Sequence, residues 1–196
     1  MDSHPDYSKY ISDYLETESK IFGMIDYAQI NKAIQVLLDA YEHDSAIYIM
    51  GNGGSAATAS HIVCDFNKGA CYKLKKKFNF ISLCDNLAIM TALSNDVCYD
   101  EIFKYQLEGH VKEKDLIIAI SGSGNSKNVI NAVQYGKNEG ALTISLTGYS
   151  GGKLKEISDY PIHIPIADMQ KAEDMHMIVL HMMAQIIAKT LGNPLC

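Results

Sequence analysis

The chain reads as an α/β protein: a parallel sheet covered by helices on both faces, with a helical arm in front. Three observations carry that reading. Short apolar runs recur along the chain, helical patterns separate them, and two of the runs, 46–50 and 116–120, are apolar throughout instead of at every second residue. A strand buried on both faces needs a continuous apolar run, and parallel neighbours need a crossover that a helix supplies.

The elements follow in order. Over residues 7–22, Tyr7, Tyr10, Ile11, Tyr14 and Leu15 are spaced for one face of a helix. A second helical pattern carries Ile30, Ala33, Ile34, Leu37, Leu38 and Tyr41. Two amphipathic helices ahead of any strand suggest an arm packed on the domain or on a neighbouring subunit, with ordinary helices of the domain itself as the equal alternative. Its tyrosines suit an interface, because such rings bury area and keep a polar tip. Residues 46–50, 78–83, 116–120 and 142–146 are strand candidates. Residues 160–164 form a weaker one, placed at an edge because Pro161 has no N–H to donate. Helical patterns at 55–66, 86–93, 101–110 and 126–136 separate them. A final helix over 170–191 has a wide face of Met175, Ile178, Val179, Met182, Ile186 and Ile187, whose methionines read as core filler. No linker or repeat interrupts the pattern. A single domain is expected over 1–196, with the arm at 1–44 and the α/β core at 45–196.

Composition narrows the function classes. The 196 residues suffice for one real core, and the formal charge of -6 argues against nucleic acid as the main partner. The basic cluster Lys73, Lys75, Lys76 and Lys77 reads as a solvated strand entrance. No apolar run approaches a membrane span, and Met1-Asp2-Ser3-His4-Pro5 does not resemble a signal peptide, so a cytoplasmic protein away from membranes is expected. Cys64, Cys71, Cys84, Cys98 and Cys196 are odd in number and lack CxxC spacing, which favours reduced thiols.

In an open parallel sheet, ligands bind beyond the carboxyl ends of the strands. The loop after the third strand candidate, Ser121-Gly122-Ser123-Gly124-Asn125-Ser126, places serines and glycines before a helix N-terminus. Glycines admit an anion close to the backbone, N–H groups point at it, and hydroxyls add donors. Without a GxxxxGK[ST] lysine the loop suits a phosphomonoester better than a nucleoside triphosphate. An ordinary N-cap would account for one of its three serines. The first loop, Gly51-Asn52-Gly53-Gly54-Ser55-Ala56, matches a dinucleotide fingerprint formally, but Asp85 lies 29 residues past Ala56, too far for the ribose acid.

His61 and Asp65 are spaced i,i+4, and Glu173 and His181 lie eight residues apart on the final helix. Two histidines and two carboxylates can hold a borderline metal such as zinc. Spacing leaves equal room for a partly buried histidine and for a first-turn acid favoured by the helix dipole. Asn95-Asp96 either reaches a sugar hydroxyl or caps a turn.

Taken together, Gly51–Ser55 with His61 and Asp65, the 121–126 loop, Leu146-Thr147-Gly148 before Gly151-Gly152-Lys153, and Glu173-Asp174-x-His176 ahead of His181 resemble a sugar isomerase (SIS) domain. Within that superfamily the chain is similar to the phosphoheptose isomerases. The resemblance implies a flavodoxin-like three-layer fold with a five-stranded parallel sheet, and a homotetramer with active sites between subunits. It implies one zinc ion per subunit, held by His61, Asp65, Glu173 and His181. It also implies sugar contacts from Asn52, Gly53, Gly54, Ser55, Asp65 and Glu173, hydroxyl contacts from Asn95 and Asp96, and a phosphate held by Ser121, Gly122, Ser123 and Ser126. Asp65 and His181 would be catalytic, in an aldose–ketose isomerisation of sedoheptulose 7-phosphate that supplies heptose for surface polysaccharide. The other readings are a non-catalytic sugar-phosphate-binding or replication-initiator-binding protein, and an isomerase of another sugar phosphate. Two positions depart from the better-known members, which have Glu at the place of Asp65 and Gln at that of Glu173.

Overall fold

The structure, a computed structural model, describes residues 4–193. Met1, Asp2, Ser3 and Cys196, which entered the signal-peptide and cysteine expectations, lie outside the described residues. Helices α1 (Ser8–Phe22) and α2 (Tyr27–Glu42) come first. There follow β1 (Ala46–Gly51), α3 (Gly54–Cys64), β2 (Asn79–Ser82), α4 (Leu87–Asp96), α5 (Ile102–Leu107) and β3 (Leu116–Ser121). The chain ends with α6 (Lys127–Asn138), β4 (Leu142–Thr147), α7 (Gly152–Ile157), β5 (Tyr160–His163) and α8 (Met169–Thr190).

All five strands pair in parallel, in the order β2-β1-β3-β4-β5. The chain steps outward from β1 to β2, then returns to lay β3 on the other side of β1. That reversal splits the loops leaving β1 and β3 and opens a crevice between them. The period of two along each central strand feeds two cores. Ile47, Ile49, Leu116, Ile118 and Ile120 face the layer of α2, α3 and α8, while Tyr48, Met50, Ile117 and Ala119 face α4, α5, α6 and α7. Each fully buried Ile or Leu contributes about 1.5–3 kcal/mol, which is why these strands carry no alternation of polar residues.

Several sequence expectations change in detail. The helix expected over 55–66 is α-helical only to Cys64 and continues as a π-helical stretch, Asp65–Ala70. Its neighbours hold it there: the Asn67 side chain donates to the Phe80 carbonyl and accepts from the Phe80 N–H of β2, and Asn193 donates to the carbonyls of Gly69 and Ala70. Asn95 and Asp96, read as lying between helical stretches, form the last turn of α4. The short helix α7 was not anticipated; among its six residues only Leu154 is fully buried, too little for a periodic signal.

The arm divides. Helix α2 buries Ile30, Ala33, Ile34, Leu37 and Tyr41 as its pattern predicts, and Asp26 caps it by accepting from the N–H groups of Ala28 and Gln29. Helix α1 buries only Ile21, leaving Tyr10 73% and Leu15 63% exposed. On α8, Met175, Val179 and Ile187 are buried while Ile178 and Ile186 are not. Cys64, Cys71, Cys84 and Cys98 form no disulfide. Among the described residues no helix is long and apolar enough to cross a membrane.

Candidate active site

The crevice between the ends of β1 and β3 holds a cavity of about 260 Å³. It is lined by Asn52, Gly53, Gly54 and Ser55 from one loop, and by Ser121, Gly122, Ser123 and Ser126 from the other. Met169 and Glu173 close it from the N-terminal end of α8. Its lining contains no lysine, and the chain has no arginine, so the donors this cavity offers are neutral: hydroxyls, the Asn52 amide and backbone N–H groups, with the Glu173 carboxylate at one side.

Local conformation explains the residue types. Gly53 sits at φ +56°, a value that a side chain rarely tolerates, and starts the turn into α3. A Cβ on Gly54 would run into the Glu173 carboxylate, so only glycine lets that carboxylate lie against the loop. Ser126 is the N-cap residue of α6, yet its hydroxyl does not cap the helix; it lies 3.1 Å from the Ser121 hydroxyl. The ordinary-cap reading of that serine therefore fails. Ser123 accepts from the Asn125 N–H, and Asn125 in turn accepts from the Lys153 N–H, which ties this loop to α7.

A second cluster lies on α3 and α8. The Nε2 atoms of His61 and His181 are 2.8 Å apart, and the same Asp65 oxygen lies 3.1 Å from His61 and 3.2 Å from His181. The side chains are 30–49% exposed. Ligand atoms on one tetrahedral zinc, with bonds of about 2.1 Å, would be about 3.4 Å apart, so two imidazoles and one carboxylate at these spacings fit such an ion. A set of three ligands leaves a position open, as in catalytic zinc sites.

The structure does not bring the fourth expected ligand to this cluster: Glu173 lines the cavity. Its separation from His181 is the reason, since eight residues of helix rise about 12 Å. Likewise, Ser55 and His61 are six residues, about 9 Å, apart along α3. The cavity and the histidine cluster are thus two places on one chain. Asn95 and Asp96 join neither. Asn95 donates to Asp96 at 2.8 Å, and Asp96 borders a larger cavity of about 740 Å³ beside β2, α4 and α5, lined by Ile81, Ile89, Leu93 and Val97 among others. That cavity has none of the convergent loop hydroxyls of the smaller one.

Residues that the sequence did not single out support the cavity. Asn128 on α6 is 2% exposed and pairs with Asn52 through two hydrogen bonds of 2.9 Å. The Tyr99 hydroxyl donates to the Asn52 side-chain oxygen at 2.8 Å. A polar residue on the inward face of a helix was the available signal for Asn128. Next to Thr147 of β4, His176 is 1% exposed, and apart from an approach to the Thr147 backbone that falls short of full hydrogen-bond geometry neither ring nitrogen has a partner among the described residues. Burial pushes its pKa down to about 4, against the pull of the Thr147 backbone and with a smaller push from His163.

The fold and these two clusters define an α/β protein with a cavity of loop hydroxyls and backbone N–H groups at the switch point, and a separate His/Asp/His cluster that could hold a metal. A family model described as SIS domain matches residues 7–148. The phosphoheptose isomerase of Helicobacter pylori (strain P12) is 36% identical over 161 residues, 82% of this chain and 83% of that protein. The phosphoheptose isomerase of Aliarcobacter butzleri (strain RM4018) is 34% identical over 189 residues, 95% of this chain and 99% of that protein. The structure of the phosphoheptose isomerase of Neisseria gonorrhoeae superposes with a TM-score of 0.86 at 25% identity, over 94% of this chain and 100% of that one. The chain belongs to the SIS domain family. It is a sugar-phosphate isomerase.

Proposed function

We propose that the reaction is the interconversion of sedoheptulose 7-phosphate and D-glycero-D-manno-heptose 7-phosphate, serving heptose synthesis for a surface polysaccharide. One observation carries the reading: relatives named for that substrate class align along most of the chain, and its switch-point cavity offers neutral donors for a phosphate next to a carboxylate. Ser121, Gly122, Ser123 and Ser126 hold the phosphate, whose binding energy orients the reacting end. Asn52, Gly53, Gly54, Ser55 and Glu173 contact the sugar.

The chemistry moves one proton between carbons and one between oxygens. Asp65 takes a proton from C1 of the ketose, giving a cis-enediol, and returns it to C2. His181 carries a proton from the C1 oxygen to the C2 oxygen. No atom is gained or lost. His61, Asp65 and His181 would hold a zinc ion, which would supply polarisation of the substrate oxygens, while Glu173 stays with the sugar in the cavity. The distance between cavity and histidine cluster supports an active site assembled from more than one subunit, in a homotetramer of a cytoplasmic enzyme. Asn95 and Asp96 then reach the sugar of a neighbouring chain.

The test replaces Asp65 with Asn and His181 with Gln, separately, and follows sedoheptulose 7-phosphate by NMR with and without a chelator. Each variant should lose at least about 100-fold in kcat. Near-normal rates in both would sink the assignment, and a hexose phosphate turned over faster than the heptose would redirect it.

A further inference from the structure

The amide of Asn52 is held in a way that decides what it can offer a ligand. An amide's oxygen and nitrogen are told apart by their partners, and here the sorting starts from a group with no choice. The Val129 backbone N–H donates to the Asn128 side-chain oxygen at 3.0 Å. That contact identifies the Asn128 oxygen, so the Asn52 group facing it is the nitrogen, which donates at 2.9 Å. The Asn128 nitrogen then donates to the Asn52 oxygen at 2.9 Å, and the Tyr99 hydroxyl donates to the same oxygen at 2.8 Å. An amide oxygen has two lone pairs, and both are now used. One N–H of Asn52 has no partner among the described residues, and Asn52 lines the cavity.

The scaffold around this network is firm. Asn128 is buried, and the turn that carries Tyr99 is tied to the same helix α6, where Asn131 donates to the Asp100 carbonyl and to the Glu101 carboxylate. We propose that Asn128 and Tyr99 are positioning residues: they saturate the Asn52 oxygen and leave one fixed N–H to donate to the substrate oxygen that gains charge in the reaction. A fixed donor suits a developing oxyanion, because nothing has to reorient as the charge appears. A hydroxyl that must itself donate finds no acceptor in Asn52. This inference rests on the isomerase reading for its substrate and stands on the network for its geometry.

The experiment has two arms. In the free protein, the Asn52 side-chain amide signal, identified by its loss in Asn52→Ala, should show an ordered amide in the wild type and a mobile one in Tyr99→Phe. Tyr99 is half exposed, so this variant keeps the fold. A mobile amide in the wild type, or an unchanged one in Tyr99→Phe, overturns the proposal. In the kinetic arm, Tyr99→Phe and Asn128→Asp should each lower kcat about tenfold with KM within about twofold, and Asn52→Ala should lower it by about 100-fold or more. In the Asn52→Ala background, Tyr99→Phe should have no further effect. Additive losses, or a change in KM alone, overturn the proposal. A wild type that turns over no sugar phosphate would refute the isomerase reading instead, and the amide arm still decides the positioning.

Discussion

Asp65 carries the sharpest consequence at the scale of single residues. It is one methylene shorter than the glutamate of the better-known family members, and here it lies between two imidazoles. If it is the base, its reach to the substrate carbon falls short by about an ångström, a displacement that costs up to about 100-fold. Asp65→Glu should therefore raise kcat on the heptose phosphate, while Asp65→Asn abolishes it; steady-state kinetics of the two variants check this. His176 gives a prediction in pH. Its folded pKa of about 4 lies below the ordinary value of 6.5, so the unfolded chain binds the proton more readily. Stability is unaffected above pH 6.5 and falls as pH drops towards about 4, by about 3 kcal/mol from this residue alone. Denaturant unfolding across that window should show the slope, and His176→Leu should flatten it.

At the scale of elements, the close approach of α3 and α8 forms the site. Gly54 opens α3 where Glu173 of α8 lies across it. Gly54→Ala should push the carboxylate out of the cavity and lower kcat/KM at least about tenfold, since displacements of about an ångström at a reacting group have such effects. A thermal melt should move little, because the substitution suits a helix start. The π-helical stretch after α3 is the other element of note. Such stretches gather at functional sites, and this one begins at Asp65.

At the scale of the whole molecule, two apolar surfaces stand exposed on the chain. Helix α1 exposes Tyr7, Tyr10, Ile11 and Leu15, and α8 exposes Ile178 and Ile186. Apolar stretches of this kind mark interfaces. Introducing a lysine for Leu15 should shift the sedimentation coefficient towards that of a smaller assembly. If the active site is shared between subunits, Ser121→Ala and His181→Gln each remove a different half of it. Mixed and refolded together, the two inactive variants should regain turnover that neither has alone. Recovery absent from well-mixed oligomers would place both halves in one subunit.

Much of this was legible in residue order. Both-face burial of β1 and β3 writes itself into continuous apolar runs, and loop chemistry writes itself into Ser121–Ser126 and Gly51–Ser55. These are local consequences of what each residue must touch or bind, so the α/β class, the strand positions and the cavity residues follow from sequence. The strand order, the meeting of His61 and Asp65 with His181 across α3 and α8, and the locking of Asn52 by Asn128 and Tyr99 do not. Each depends on where elements far apart in the chain are laid side by side. Helix rise separates residues that a spacing argument places together, and packing joins residues 76 positions apart that no spacing links.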